Sequence, residues 1–473
     1  MIEIIRNNEK KVQFIFKLSY LLLVISTFNS FLYTSFLQSY FVKLCLGMAI
    51  FALFLRMFVI KNYLKTLGWR FLLLFGISYL ISSVINFEYG FFENIKWLIW
   101  MALAFVLLYM YDIKCDTSYY KKEFKIIGHI LLSYSLCASV ISLGMMLTRY
   151  ARLLHLVDGE KVKAGYFWGR LWGIYTDPNY GATFSVAMLL LALYFWKTTT
   201  KKIPKIFYCL TVLLDFLYII YSDSRTAKVA MCIGLGFLIF STLWHHWRKD
   251  GVGKRIAISL IGTILILILT TGTMEGLKNV YLDKIGPYIE SHFESIDPDM
   301  SDVTSMEIAK EREEDIKKDI SNRRFDLWKS GFEVWKTTPL FGTGYVTFDE
   351  YAIDRVPDTY AVNNDYGVFA NTHNQYINIL VFQGGVGLII LVLFMRKAIC
   401  RIWLCLWKCE GEEFYYIVTM VSIIAVVAVT MMFLLEGIYT NSLGVFLLWF
   451  MLGVCLQFAD RKEIENKKTK CLE

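Results

Sequence analysis

The chain has 473 residues, of which 56% are hydrophobic and only 19% charged, and its mean hydropathy is +0.48. These values exclude an ordinary soluble globular protein. The net charge of +8 therefore has to be read loop by loop along a membrane topology, and it is no argument for nucleic acid as a partner.

Apolar runs of the roughly 18 residues that cross a bilayer fall at about 13–30, 37–57, 70–87, 94–111, 124–147, 180–197, 204–221, 225–246, 255–272, 373–395, 414–434 and 440–458. The chain is thus predicted to be an all-α polytopic membrane protein with about 12 transmembrane helices. The first run lacks an A-x-A-like cleavage site and reads as an anchor rather than a signal peptide. With the N-terminus inside, every inner segment carries Lys or Arg, from Arg6, Lys10 and Lys11 to the tail at 459–473, while the short outer loops at about 31–36, 87–93 and 435–440 carry none. The charge bias predicts both termini in the cytoplasm and elaboration at the outer face.

The expected organisation is an N-terminal bundle of about nine spans over 1–272 with an outer segment at 148–179, a large extracytoplasmic loop at 273–372, and about three further spans over 373–458. All ten cysteines lie in spans or inner segments, so no disulfide framework is expected. The spacing of Cys400, Cys405 and Cys409 fits no zinc pattern. Five of the six prolines (Pro178, Pro287, Pro298, Pro339 and Pro357) sit in the two long outer segments and none interrupts a span, which gives little sign of the broken helices of secondary transporters.

Within the first outer segment, "GRLWGIYTDPNYGA" (169–182) places Arg170 ahead of Asp177, an expected N-cap, with Pro178 at the first helical position and Asn179 beside it. "SDSRTAK" (222–228) turns between two spans and sets Arg225 in the first turn of the next helix. Asp215 and His129 are ionisable groups inside spans, with no obvious partner in sequence.

In the long loop, the acidic run 294–302 offers Asp297, Asp299 and Asp302 as carboxylates for a divalent cation, but no metal or other cofactor is expected. One amphipathic helix is expected over about 304–336, opened by a capping box of Thr304 and Glu307. Phe325, Trp328, Phe332 and Trp335 share one face of it, an aromatic stripe suited to packing, to the membrane interface or to a sugar platform, with Arg323 and Arg324 on its border. "TTPLFGTGY" (337–345) turns the chain back. Finally "NTHNQYINIL" (371–380) opens the next span, with Asn371 or Thr372 as cap and His373 and Asn374 in the first turn.

Each of these helices presents its N-terminus outward, where unpaired amides and the positive dipole end favour anions. An arginine at a membrane edge commonly snorkels to lipid phosphate. Several cations, a histidine and several helix starts at one membrane depth suit instead a diphosphate whose lipid tail lies in the bilayer.

In that order, "RLWGIYTDPNYGA", "SDSRTAK", "RRFDLWKSGFEVWKTTPLFGTGY" and "NTHNQYINILVFQGGVGL" resemble the motifs of the O-antigen ligase and polymerase (Wzy-type) family of bacterial membrane glycosyltransferases, over about 160–390. The resemblance implies a GT-C-like helical bundle in the cytoplasmic membrane. It implies that an undecaprenyl-diphosphate-linked oligosaccharide is the donor, with a flippase and a chain-length regulator as protein partners. By motif, Arg225 and one of Arg323 and Arg324, the latter preferred, match the diphosphate-binding arginines, and His373 matches the candidate catalytic residue. Arg170 and Asn179 match the early outer motif, and Asn374 and Trp328 complete the expected substrate-binding set. The expected activity is a polysaccharide polymerase; a ligase would share the motifs, and a lipid-linked oligosaccharide flippase would share the lipid and the span count.

Overall fold

A computed structural model describes residues 2–156, 159–293, 300, 302–318, 323–434 and 436–470. Among these, eleven helices are long and apolar enough to cross a membrane. The remaining expected span, Trp69–Ile85, is an apolar helix of 17 residues. The chain is a multi-pass membrane protein by length and composition.

The bundle is built around its C-terminal span, whose apolar window in Leu443–Asn466 is 100% buried, whereas only 11% of that in Val252–His292 is. The outer spans leave large apolar side chains such as Ile50, Ile261 and Leu269 exposed, a surface suited to lipid. Charge inside the bundle is paired. Lys17 donates to Glu123 at 2.6 Å, and Arg56 donates to Glu9 at 2.7 Å, all four side chains being buried. The two intramembrane groups that lacked partners in sequence have them in space: Ser135 and Ser139 both donate to Asp215, and His129 meets the Tyr208 hydroxyl at 2.9 Å.

Four local expectations change. The 148–179 segment is not merely a loop but a three-stranded antiparallel sheet, Ala151–His155, Lys161–Phe167 and Arg170–Gly173, with Ala151 opposite Gly165 and Phe167 opposite Arg170. The Val252–Val280 helix continues through a π turn to His292, so the long loop starts about twenty residues later than its apolar run suggested. The single helix expected over 304–336 is two, Met306–Lys318 and Arg324–Thr337, and Ser305 rather than Thr304 supplies the hydroxyl that accepts from Ile308 N.

The fourth concerns the Gln375–Leu406 helix, which is broken at Gly384 (φ 64°, ψ −168°). The 338–344 turn docks into the break. Thr343 N and Gly344 N donate to the carbonyls of Val381 and Phe382 at 2.9 and 3.0 Å, and Gly385 N and Val386 N donate back to Pro339 and Leu340. Ser82 adds a hydroxyl to the Phe382 carbonyl at 2.7 Å. The Val381 and Phe382 carbonyls and the Gly385 and Val386 amides beside the break thus find partners, as an apolar surrounding requires. Glycine, not proline, makes the interruption.

Candidate active site

Four segments converge at one end of the bundle. At the first, Asp177 caps the Pro178–Thr198 helix, its Oδ1 accepting from Asn179 N at 2.7 Å and Tyr180 N at 3.3 Å, with Pro178 opening the helix. Arg170 is committed to the protein: Nε donates to the Ser222 carbonyl at 3.0 Å and Nη2 to Asn179 Oδ1 at 2.9 Å. Burial, with Arg312 nearby, pulls its guanidinium down to about 10. Arg170 and Asn179 therefore tie the sheet to two helix ends and frame the site.

At the second, Ser224 caps the Arg225–His246 helix, and Arg225 stands in the first turn. The preceding Asp223, left-handed at φ 50°, accepts from Lys278 and Arg312 at 2.7 Å each and lies 3.5 Å from Lys228. Burial alone would raise this carboxyl, but the three cations outweigh it and hold it at about 2. The ionised Asp223 thereby clamps the Met306–Lys318 helix onto the start of the Arg225 helix.

The third is the Arg324–Thr337 helix. It buries Leu327, Ser330, Gly331 and Val334, at steps of three, one and three, against the start of the Gln375–Leu406 helix. At Gly331 a methyl group would lie 2.7 Å from both Ile377 and Thr372, so the close approach depends on glycine. The aromatic stripe flanks this face and does not form it, Phe325 and Phe332 being exposed. Arg324 is half-buried with its guanidinium 5.5 Å from the Phe433 ring. Arg323 precedes the helix at φ 60° and stacks 3.8 Å over exposed Tyr366. One turn along, the buried Trp328 Nε1–H has no acceptor among the described residues.

The fourth segment carries His373. The expected cap is shifted: Asn374, not Asn371 or Thr372, caps the helix, accepting from Tyr376 N and Ile377 N at 3.0 and 3.3 Å. His373 is thus outside the first turn, in the left-handed region at φ 52°, a conformation costing roughly 1–2 kcal/mol. Its N–H donates to Asn371 Oδ1 at 2.8 Å, and Thr372 is pinned to Asn378 Oδ1 through both N–H and hydroxyl. The backbone is clamped on both sides, while the ring touches Phe369 edge-on and has no hydrogen-bond partner among the described residues.

These placements bring Arg324 within electrostatic reach of both Arg225 and His373. Burial lowers the proton affinity of Arg324, and Arg225 lowers it further. Burial likewise lowers that of His373, with Arg324 adding to the effect, and Asp177 is the carboxylate that opposes both shifts. A half-buried arginine with no ion-pair partner among the described residues, next to a second arginine and a ring kept neutral, can receive a polyanion and beside it a hydroxyl that must lose a proton.

Of the expected residues, Arg225, Arg324, Trp328 and His373 are drawn together, Arg170, Asn179 and Asn374 serve in the frame, and Arg323 stacks on Tyr366. The sequence reading missed Tyr180 and Glu436 at the same site. A lone carboxylate in the apolar 435–440 stretch was the available signal for Glu436. Of the acidic run, 294–299 falls outside the described residues, and among the described residues no three His, Cys, Asp or Glu side chains group as metal ligands.

Arg225, Arg324 and His373 thus form a half-buried cationic cluster at the end of a helical membrane bundle. Residues 210–392, a stretch that contains Arg225, Arg324, Trp328 and His373, match the family model described as O-antigen ligase. The chain is also 24% identical over 220 residues to an uncharacterized protein of Haemophilus influenzae, a match covering 46% of this chain and 47% of that protein, so it spans about half the length of this relative.

Proposed function

We propose that the chain is a polysaccharide polymerase that joins polyprenyl-diphosphate-linked oligosaccharide units at the outer face of the cytoplasmic membrane. The observation that carries this reading is the convergence of Arg225, Arg324 and His373 from three separate segments, with the Arg324 guanidinium and the His373 ring lacking protein partners among the described residues.

In the reaction, an acceptor hydroxyl oxygen attacks the anomeric carbon of the donor sugar. The bond from that carbon to the diphosphate oxygen breaks, its electron pair leaving with the lipid diphosphate. Negative charge grows on the leaving group, where Arg324 and Arg225 stabilise it. The hydroxyl proton passes to a ring nitrogen of His373 and from there to water. Direct displacement inverts the anomeric configuration, and no step requires a cofactor. Arg170 and Asn179 position the frame, and Trp328 supplies a donor and an apolar plane to the sugar beside Arg324.

A second reading, transfer of the finished glycan to a different acceptor, is favoured by the match to the O-antigen ligase family model. Deleting the gene and separating surface glycan on gels distinguishes the two. The polymerase reading expects single repeats still attached and long chains lost, whereas accumulation of unattached polymer indicates a ligase and unflipped cytoplasmic precursor a flippase.

The pH dependence carries a sign. His373 acts as a base only when neutral, and its pKa in the free protein lies below the usual 6.5 because of burial and Arg324. The acid limb of kcat/KM is expected below pH 6.5, and Arg324→Gln, which removes the repelling cation, is expected to move it to higher pH in the residual activity. An unmoved limb would separate His373 from proton transfer.

A further inference from the structure

We infer that Glu436 is the centre of an acceptor-sugar subsite, where its carboxylate receives hydroxyl groups of the incoming glycan between Tyr345 and Tyr180. The inference rests on the glycosyl-transfer reading of the adjacent pocket and adds the class of ligand, a neutral sugar hydroxyl array, that Glu436 takes. Glu436 lies beyond the 210–392 family match.

The loop holding Glu436 is fixed by its backbone, independently of the side chain. Gly437 N donates to Gln375 Oε1 at 3.1 Å, Trp449 Nε1 donates to the Gly437 carbonyl at 2.9 Å, and the Ser442 hydroxyl donates to the Glu436 carbonyl. The carboxylate itself has no ion-pair partner among the described residues. It accepts from the Tyr345 hydroxyl at 3.4 Å and Asn371 Nδ2 at 3.5 Å, near the limit of such contacts, and the Thr440 hydroxyl also lies against it. A carboxylate has room for about four donors, and the two measured contacts are long, so Glu436 retains accepting capacity for a further hydroxyl. Burial raises its proton affinity, which strengthens it as an acceptor.

The surroundings are those of a sugar site. Tyr345 is locked by stacking on Tyr439 at 5.2 Å and by Trp97 edge-on at 5.8 Å, so its hydroxyl is held beside the carboxylate. Tyr180 lies within electrostatic reach of both Glu436 and Asp177, and its hydroxyl has no partner among the described residues. A buried Gln375 Nε2, on the side chain that anchors the loop, also lacks one. Asn371 joins the two halves: its Oδ1 accepts from His373 N at 2.8 Å, and its Nδ2 faces Glu436. A hydroxyl bound at Glu436 is thus separated from His373 by one side chain.

The test uses the purified full-length protein, with the lipid-linked saccharide from a gene-deletion strain as donor. The acceptor is the oligosaccharide released from that lipid by mild acid. Glu436→Gln keeps shape and loses charge, and is expected to raise the acceptor KM about tenfold or more with the donor KM unchanged, the loss of roughly one charge-assisted hydrogen bond. Glu436→Asp is expected to restore part of the loss, and Tyr345→Phe to move the acceptor KM in the same direction. An acceptor KM unchanged in Glu436→Gln, or donor and acceptor KM raised together, overturns the subsite. Wild-type transfer by Arg324→Ala and His373→Ala would instead overturn the transfer reading beneath it.

Discussion

Arg324→Ala is expected to lower glycan transfer by roughly 10²–10³-fold, the loss typical of removing one preorganised donor from a developing oxyanion, about 2.7–4 kcal/mol. Arg324 reaches the pocket from the packed Arg324–Thr337 helix, and it has no hydrogen-bond or ion-pair partner among the described residues whose loss would confuse the outcome. Fold and membrane level should therefore survive the change. Lysine should rescue only part of the activity, because a point charge cannot bind two phosphate oxygens in one plane. Arg323→Ala is the internal control. That guanidinium stacks on Tyr366 and should be nearly neutral for transfer. Surface polymer length and yield in a complemented deletion strain, normalised to protein level, read out all three variants. Equal losses in Arg323→Ala and Arg324→Ala would refute the assignment.

Gly384→Val is expected to be the most damaging substitution for stability. The residue occupies φ 64°, ψ −168°, a region essentially closed to other residues, and a Cβ there would lie 2.2 Å from the Leu340 carbonyl. Neither backbone can yield without undoing the four hydrogen bonds that seal the break, so a loss of about 4 kcal/mol or more is expected. The 338–344 turn would come free, and with it the adjacent Tyr345. Its neighbour provides the contrast: at Gly385 the nearest atom to an added Cβ is the Pro339 oxygen at an ordinary 3.5 Å, so Gly385→Ala should be mild. The thermal midpoint of the detergent-purified protein decides. Similar midpoints for the two variants would show that the docked turn contributes little.

The spans were legible because an apolar run of bilayer length has one stable solution, and so were the Asp177 cap with Pro178 and the start of the helix at Arg225. The sheet at 151–173 was not. Its strands are short, and its register depends on a bulge at Gly165, where a side chain would strike the Tyr150 carbonyl at 2.0 Å. Nor was the break at Gly384, because "QGGVG" resembles any small-residue helix until the docking turn, forty residues earlier, is placed against it. The cap at Asn374 was misassigned by two or three positions because "NTHN" offers three polar candidates, and the Thr372–Asn378 hydrogen bonds decide among them. For the candidate site, the cations were visible as helix starts at one membrane depth. What remained hidden was pairing: that the Arg170 fork is occupied, that Arg324 lacks a partner, and that Glu436 lies beside the pocket.

The most direct test supplies the purified protein, reconstituted in liposomes, with a polyprenyl-diphosphate-linked oligosaccharide and follows both products. Release of polyprenyl diphosphate is expected in step with growth of the glycan on a second unit, both abolished in His373→Ala and Arg324→Ala proteins that remain folded. Passage of the intact lipid-linked saccharide across the liposome membrane, with no bond broken, would contradict this expectation.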